Sequence, residues 1–342
     1  VSHHAKIQIS VLMAVRNGAT YLRDALDGLC QQTHPADEIV VVDDASDDDT
    51  SCILQSYTSQ LPLVLLHNEE RLGLTLSLLK GWGVARGDYI ARMDADDISY
   101  PRRFEHQMTW MRRHPDAGVC GTWARIIGQS KGRIRTPVNM QDIHASILWE
   151  CPFVHSSVMF RRSVMAEAGL TYDPEFCVAQ DLELWSRLVL SGVVCGNVSR
   201  SLVAYRMHSE NITSTRQQER RQASLAIYRH MLDVYSQEPV SDDELELHLR
   251  IVHNRLQDNE AEIRSAYDWF ERAVSMAETM GQRSLWLMYI RKVWFAVCYR
   301  NCVERNSALV ARYMRMPRYD FLGKYRMLLL LALGKKALLS PT

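Results

Sequence analysis

Gly87-Asp88-Tyr89-Ile90-Ala91-Arg92-Met93-Asp94-Ala95-Asp96-Asp97 decides the reading of this 342-residue chain. An apolar run ends there in three carboxylates within four residues. Like charges that close repel one another unless a cation or open solvent offsets them. Upstream, Ile7 to Val15 reads as a buried strand and Arg16-Asn17-Gly18 as the turn after it. Tyr21 to Gln32 has helical spacing, and Glu38 to Val42 is a second strand that ends in Asp43-Asp44. Two acidic strand ends in one open α/β sheet lie where such sheets bind ligands, at the carboxyl edge. The pair suggests a site for a metal and a nucleotide.

The alternation continues outward from these segments. Ser46 to Tyr57 is a helix, Leu63 to His67 a strand, Leu72 to Arg86 a helix stopped at Gly87, and Tyr89 to Met93 a fourth strand. That order predicts an α/β fold with a mostly parallel, Rossmann-like sheet and flanking helices. Further on, a helix from Pro101 to His114, a strand over Ala117–Ile127, and a short helix over Asp142–Trp149 follow. His155–Arg161 reads as a strand, Ser163–Ala168 and Asp181–Ser191 as helices, and Leu202–Arg206 as the last strand. From residue 215 the pattern is helical, with candidates at Gln217–Tyr235, Asp242–Arg255, Glu260–Met280, Ser284–Cys302 and Tyr319–Leu339. The expected division is an α/β domain over 1–215 and a C-terminal all-α region over 216–342.

Formal charge is zero overall but unevenly spread. Residues 283–342 carry 12 Lys or Arg against Glu304 and Asp320, which leaves 28 basic and 38 acidic residues in 1–282. A basic tail interleaved with Trp, Leu, Ile and Met favours an anionic membrane surface over nucleic acid. A helical subdomain with an ordinary solvated basic face is the plainer reading. The eight cysteines form no CxxC pair, disulfide framework or zinc spacing, which points to a reducing cytoplasm. No apolar stretch reaches the roughly 18 residues of a spanning helix.

Asp-rich strand ends are commonly solvated turns, and Asp43-Asp44-Ala45-Ser46 also reads as a helix cap. Oxygen-only ligands on a short turn otherwise suit Mg²⁺ or Mn²⁺. The chain resembles the family 2 glycosyltransferases, inverting GT-A enzymes that use nucleotide sugars. The resemblance is carried by Ser10–Gly18, Glu38–Ser46, Gly87–Asp97, His155–Arg161, Gln180-Asp181-Leu182-Glu183-Leu184-Trp185 and Tyr205-Arg206-Met207-His208, in the family's order across about residues 7–215.

The resemblance implies roles residue by residue. Ala14, Arg16 and Asp44 would surround the nucleotide base and ribose, and Asp94 the sugar or ribose. Asp96 would bind the metal with help from His208, Asp181 would be the catalytic base, and His155 falls in the block shaping the acceptor side. Trp185 lies one helical turn after Asp181, beside the base, although a core tryptophan is the commoner role. The chemistry fits these types. Departure of a nucleoside diphosphate builds negative charge that a cation offsets, and a helix-borne carboxylate can take the acceptor's hydroxyl proton. One base on the face opposite the leaving group implies inversion, an α-linked donor giving a β-linked product.

Two positions depart from the family pattern. Gln180 stands where Glu usually precedes the base, and Leu79 where many relatives carry Asn. Lys80 could reach a phosphate, but a solvated helix lysine is the ordinary reading. Relatives imply a UDP-linked donor, a glycan or lipid-linked acceptor in cell-surface polysaccharide or lipopolysaccharide synthesis, and a peripheral position on the inner membrane face. Ser284–Phe295 and Lys324–Leu331 are the segments expected to meet lipid; homodimerisation through the helical region is the rival use. A nucleotidyltransferase would want a Gly- and basic-rich loop after the first strand, which Ala14–Gly18 matches poorly. A sugar-nucleotide-binding pseudoenzyme is disfavoured by the presence of Asp181.

Overall fold

The structure is a computed structural model that describes residues 8–208, 216–236, 238–253, 255–256 and 259–299. The Tyr319–Leu339 helix, the Lys324–Leu331 run and the end of the Ser284–Cys302 helix past Tyr299 lie outside the described residues. These residues belong to two compact units. The first holds the residues up to Ile143 and Cys151–Ala223; the second joins His144–Glu150 to the residues from Ser224 onward.

The first unit is built on a nine-stranded sheet. Its strands are β1 (Ile9–Val15), β2 (Glu38–Asp43), β3 (Leu63–His67), β4 (Tyr89–Arg92), β5 (Ile98–Ser99), β6 (Ala117–Gly128), β7 (Gly132–Ile134), β8 (Met159–Arg161) and β9 (Val194–Met207). They lie in the order β3-β2-β1-β4-β8-β6-β9-β5, with β7 paired to β6. The β3-β2-β1-β4 half is parallel. Strand β8 runs antiparallel to both β4 and β6, while β6 and β9 run parallel to each other. Strands β1, β2, β3, β4, β6 and β9 therefore point one way, and their carboxyl ends share one edge. The sheet is the mostly parallel α/β arrangement expected.

The helices are α1 (Leu22–Cys30), α2 (Thr50–Ser56), α3 (Leu74–Val84), α4 (Arg103–Arg113), α5 (Met140–Ser146), α6 (Arg162–Glu167) and α7 (Gln180–Leu190). Fully buried Ile9, Val11, Met13, Ile39 and Val41 form one core layer with Leu22, Ala25, Leu26 and Phe104. Helix α3 approaches the sheet closely at Gly81, where a Cβ would lie 2.5 Å from Leu12 Cδ1. That helix stops at Val84, short of Gly87, because Arg86 turns to Glu38. The Arg86 main-chain N–H donates to Glu38 Oε1 and its Nε donates to Oε2 at 3.0 Å.

The structure departs from the sequence reading in three places. His155–Ser157 forms a 3₁₀ turn, and only Met159–Arg161 pairs as strand. Strand β9 is far longer than Leu202–Arg206. The short strands β5 and β7 had no predicted counterpart.

Helix α8 (Gln217–Tyr235) enters the second unit at Ser224, and α9 (Asp242–Val252), α10 (Glu260–Thr279) and α11 (Arg283–Tyr299) follow within it. Ser241 and Glu244 close a capping box on α9, and Asn259 Oδ1 accepts from Glu262 N to start α10. The core is aromatic. Trp149 packs against Phe270 and Trp286, with centroids 5.7 and 6.5 Å away, and Phe270 meets Trp294 at 5.6 Å. This corrects the use assigned to Ser284–Phe295: Trp286, Tyr289, Ile290 and Trp294 are buried within the unit and cannot enter a lipid interface from these positions. No helix among the described residues is long and apolar enough to cross a membrane.

Candidate active site

The carboxyl edge of the sheet gathers the segments that the sequence singled out. Beyond β4 the chain turns sharply, so Asp94, Asp96 and Asp97 each offer an oxygen within 4.8 Å of the others. Asp94 forms an ion pair with Arg92, whose side chain is buried in the strand. Burial works against the Arg92 charge, but the Asp94 carboxylate outweighs it and raises the Arg92 pKa. Asp96 pairs with His208 Nε2 at 2.9 Å. Burial, then the charge of Asp94, raises the Asp96 pKa against the pull of His208. Asp97 is buried, and burial together with its two acidic neighbours lifts its pKa well above the usual carboxylate range.

Arg206 holds this turn in place. Its main-chain N–H donates to Asp97 Oδ1 at 2.7 Å and its Nε to the Asp96 carbonyl at 2.8 Å. Its Nη2 reaches Asp24 on α1, and the guanidinium lies 4.5 Å over the Tyr21 ring. Tyr21 in turn lies 5.1 Å from the His208 ring. Behind the turn Arg103 is fully buried, donating to the carbonyls of Arg92 and Val158. Burial and the like charge of Arg92 bring its pKa down to about 9, so it keeps its charge at neutral pH.

The donor set fits a hard divalent cation. Three crowded carboxylates and a histidine converge there, and Asp97 Oδ2 is buried without a hydrogen-bond partner. Repulsion within the cluster is the condition a cation relieves.

The second acidic strand end is used differently. Asp44 is buried, and its carboxylate accepts Asn68 Nδ2, Leu72 N and Gly73 N, each at 2.8 Å. Burial opposes the charge, but these donors hold the Asp44 pKa below its ordinary value. Asp44 thus anchors the loop between β3 and α3. Lys80 donates to Asn68 Oδ1 and the His67 carbonyl, both at 2.8 Å, so it braces that anchor rather than standing free in solvent. Asp43 caps the next turn, accepting Ser46 N and Ser51 Oγ. Ala14 ends the inner part of β1 half-buried, and Arg16 is exposed at its end.

Asp181 sits half-buried in the first turn of α7, where helix N–H groups favour an anion. Ala179, two residues before it, has φ 55°, and Asn17 and Ala45 are the other non-glycine residues with positive φ among the described residues. All three flank candidate site segments, and such strain collects at functional sites. Tyr205 links the two acidic groups: burial and the charges of Asp94, Asp97, Asp96 and Asp181 push its pKa up to about 12. Tyr172 likewise feels Asp181 and Asp94 and pairs with His155 Nε2 at 2.7 Å. Burial, then the Arg92 charge, pulls the His155 pKa well below its ordinary value. Trp185 is wholly buried among Phe153, Phe160 and His155, a core aromatic out of reach of an acceptor.

Residues 10–169 match the glycosyl transferase family 2 domain. The chain is 32% identical over 213 residues to the amylovoran biosynthesis glycosyltransferase AmsE of Erwinia amylovora, covering 61% of this chain and 79% of AmsE. This chain is a family 2 glycosyltransferase. The glycosyltransferase is also 28% identical to the Escherichia coli O-antigen biosynthesis glycosyltransferase WbnJ, over 59% of this chain and 81% of that one. Among solved structures, S. aureus TarS 1–349 in complex with UDP shares the fold with a TM-score of 0.56 at 14% identity, covering 94% and 92% of the two chains. The Pyrobaculum calidifontis mannosyltransferase PcManGT, in complex with GDP-Man and Mn²⁺, matches with a TM-score of 0.53 at 17% identity, over 88% of this chain and 89% of that one.

Sequence reasoning gave no role to Arg206, Arg92, Tyr172 or Tyr205 in this glycosyltransferase. Arg206 and Tyr205 stood inside a quoted motif block, so the signal was present. Arg92 likewise stood inside a quoted motif block, within the fourth strand, and Tyr172 carried no signal at all.

Proposed function

We propose that this glycosyltransferase moves a sugar from a nucleoside-diphosphate sugar, UDP-linked, to a hydroxyl of a glycan or lipid-linked glycan in cell-surface polysaccharide synthesis. The observation that carries the reading is the shared surroundings of Asp181 and the Asp94–Asp97 turn, whose charges both reach Tyr172 and Tyr205. These charges acting on common tyrosines support a reading in which Asp181 serves as base and the acidic turn as the donor side of one site. The polysaccharide-pathway names of AmsE and WbnJ support the acceptor class. The UDP and UDP-GlcNAc complexes of TarS support the donor class.

In this reading Asp96 and His208, with Asp97 beside them, would hold Mg²⁺ or Mn²⁺, and Asp94 stays paired to Arg92 facing the donor sugar. A bound divalent ion supplies Lewis-acid neutralisation of the diphosphate leaving group. Asp181 takes the proton of the attacking hydroxyl, contributing roughly 10²–10⁴-fold. Attack from the face opposite the leaving group inverts the anomeric centre. Asp44, engaged by its own loop, acts on the nucleotide by shaping the Asn68–Gly73 segment, with Ala14 and Arg16 on the neighbouring strand end. His155, held by Tyr172, lines the acceptor side. Attachment to an anionic membrane is the further part of the proposal, tested by flotation with anionic vesicles.

The test is nucleoside-diphosphate release from UDP-, GDP- and dTDP-sugars, with and without Mn²⁺, for wild type, Asp96→Ala and Asp181→Asn. Metal-dependent release from one donor, lost in both variants while Asp181→Asn still binds donor, is the expected result. No binding of any donor by the wild type would sink the reading.

A further inference from the structure

Strands β6 and β7 form a hairpin whose two faces differ completely. Ala124 and Ile134 face inward and pack with Val154, Val203 and Tyr205. Residues two apart share a face of a strand, and directly paired residues share it across strands. Arg125 and Arg133 therefore share the other face, set directly opposite each other by the register, and Lys131 and Arg135 flank Arg133 just outside the two ends of β7. All four cations are exposed. Arg135 lies 5.6 Å over the Trp123 ring, which its indole N–H ties to the Thr136 carbonyl at 2.9 Å.

No Asp or Glu occurs between Asp116 and Asp142, and none of the four cations has a carboxylate partner among the described residues. Like charges placed directly opposite in a ladder are destabilising. Edge strands do use charge to discourage pairing with other chains, but that purpose needs no arginine facing another arginine. The arrangement makes sense where an anion neutralises both.

The hairpin also stands beside the catalytic edge. Gly128 of β6 is in register with Met207 of β9, the residue before His208. Gln129 N donates to the Met207 carbonyl at 3.0 Å. Beneath the hairpin, Tyr205 feels the charges of Asp94, Asp96, Asp97 and Asp181.

We propose that the face formed by Arg125, Lys131, Arg133 and Arg135 binds a phosphate group of the acceptor, so that this glycosyltransferase acts on a phosphate-bearing glycan. Two arginine forks converging from opposed positions suit a tetrahedral anion with several acceptor oxygens better than a single planar carboxylate. Trp123 offers an apolar plate for an adjoining sugar ring. The inference rests on the acceptor-transfer reading above but adds the chemical class of the acceptor.

The experiment measures binding of the full chain to a glycerol-phosphate oligomer, an oligogalacturonate of matched charge, and phosphatidylcholine vesicles with and without phosphatidylglycerol. Wild type is compared with Arg125→Gln/Arg133→Gln and with Arg135→Gln; UDP affinity in Mn²⁺ is measured alongside. The expected result is phosphate-oligomer binding that weakens with salt and falls at least about tenfold in the double variant, with UDP affinity unchanged. Equal binding by the double variant, no oligomer binding by the wild type, or preference for the uronate overturns the proposal. So does a loss confined to the vesicles, which marks a membrane surface, or a loss of UDP affinity, which marks a donor contact. Absence of UDP binding by the wild type is a separate failure, that of the donor reading.

Discussion

Replacing Arg206 by Met keeps the aliphatic stem and removes the guanidinium from the acidic turn. Three of the interactions described above are lost with it, and their exposures rank them. The bond from Nε to the Asp96 carbonyl, at 2.8 Å, comes from an arginine only 14% exposed and is worth about 1.5–3 kcal/mol as a charge-assisted bond. The ion pair to Asp24, itself 54% exposed, is solvent-screened and worth at most about 1 kcal/mol. The cation over Tyr21 adds about 0.5–1 kcal/mol. The main-chain bond to Asp97 survives the substitution. The variant should therefore lose about 2–5 kcal/mol of unfolding free energy, most of it through the Asp96 carbonyl. Because Asp96 would be a metal ligand, Mn²⁺ affinity read by electron paramagnetic resonance should also fall about tenfold. Asp24→Asn is the internal reference and should cost no more than about 1 kcal/mol in urea unfolding. An Asp24→Asn variant as damaged as Arg206→Met would refute the reasoning, since the surface pair would then be the effective contact. Unchanged Mn²⁺ affinity in Arg206→Met would show that the clamp does not position Asp96.

Gly81→Leu places a side chain where even a Cβ would meet Leu12 Cδ1 at 2.5 Å, and should cost about 1–3 kcal/mol in denaturant unfolding. Trp185→Ala should cost about 3–5 kcal/mol of stability; an intact, fully stable protein with only a raised acceptor KM would restore Trp185 to the acceptor side. His248 is buried beside Trp149, Tyr228 and Trp269, and burial pulls its pKa from 6.5 to about 3. Below pH 6.5 the unfolded chain takes up a proton that the folded state refuses, so stability present above that pH falls as pH drops towards 3. The loss approaches about 1.4 kcal/mol per pH unit. His248→Gln, which keeps an acceptor for the Trp269 N–H, should flatten urea midpoints over that window, and an unaltered slope would exclude His248 as its source.

The legible parts of this fold are those where one residue type answers one local need. Strands β1 to β4 are short apolar runs whose periodicity survives packing on both faces, and Leu63–His67 was read to the residue. Strand β9 was not, because Gly196 and Asn197 argue against strand in isolation. Their reasons are tertiary. A Cβ at Gly196 would meet Trp110 at 2.5 Å, and buried Asn197 donates to the carbonyls of Pro137 and Pro152. Register shifts between β6 and β9 near Thr122 and Trp123 further break the alternation. At the site, the motif blocks named the acidic residues but not what holds them. Arg206 reaches Asp24 across 182 positions of sequence, a separation no local pattern encodes. Asp44 shows the complementary limit: a motif position identifies a residue without telling whether its lone pairs are already taken.

The seven residues His144–Glu150 belong to the helical unit although the chain on both sides of them belongs to the sheet. Trp149 finds His248, Phe270 and Trp286 as its neighbours. A chimera that grafts another relative's helical region onto this catalytic unit must therefore exchange two stretches, not one. The same holds during synthesis. Ile147, Leu148 and Trp149 leave the ribosome long before the helices that bury them, and a chain arrested near residue 223 would present this apolar segment unshielded. The helical unit is thus a built-in completion signal, since only a chain made at least through Trp286 can hide Trp149 among its own partners.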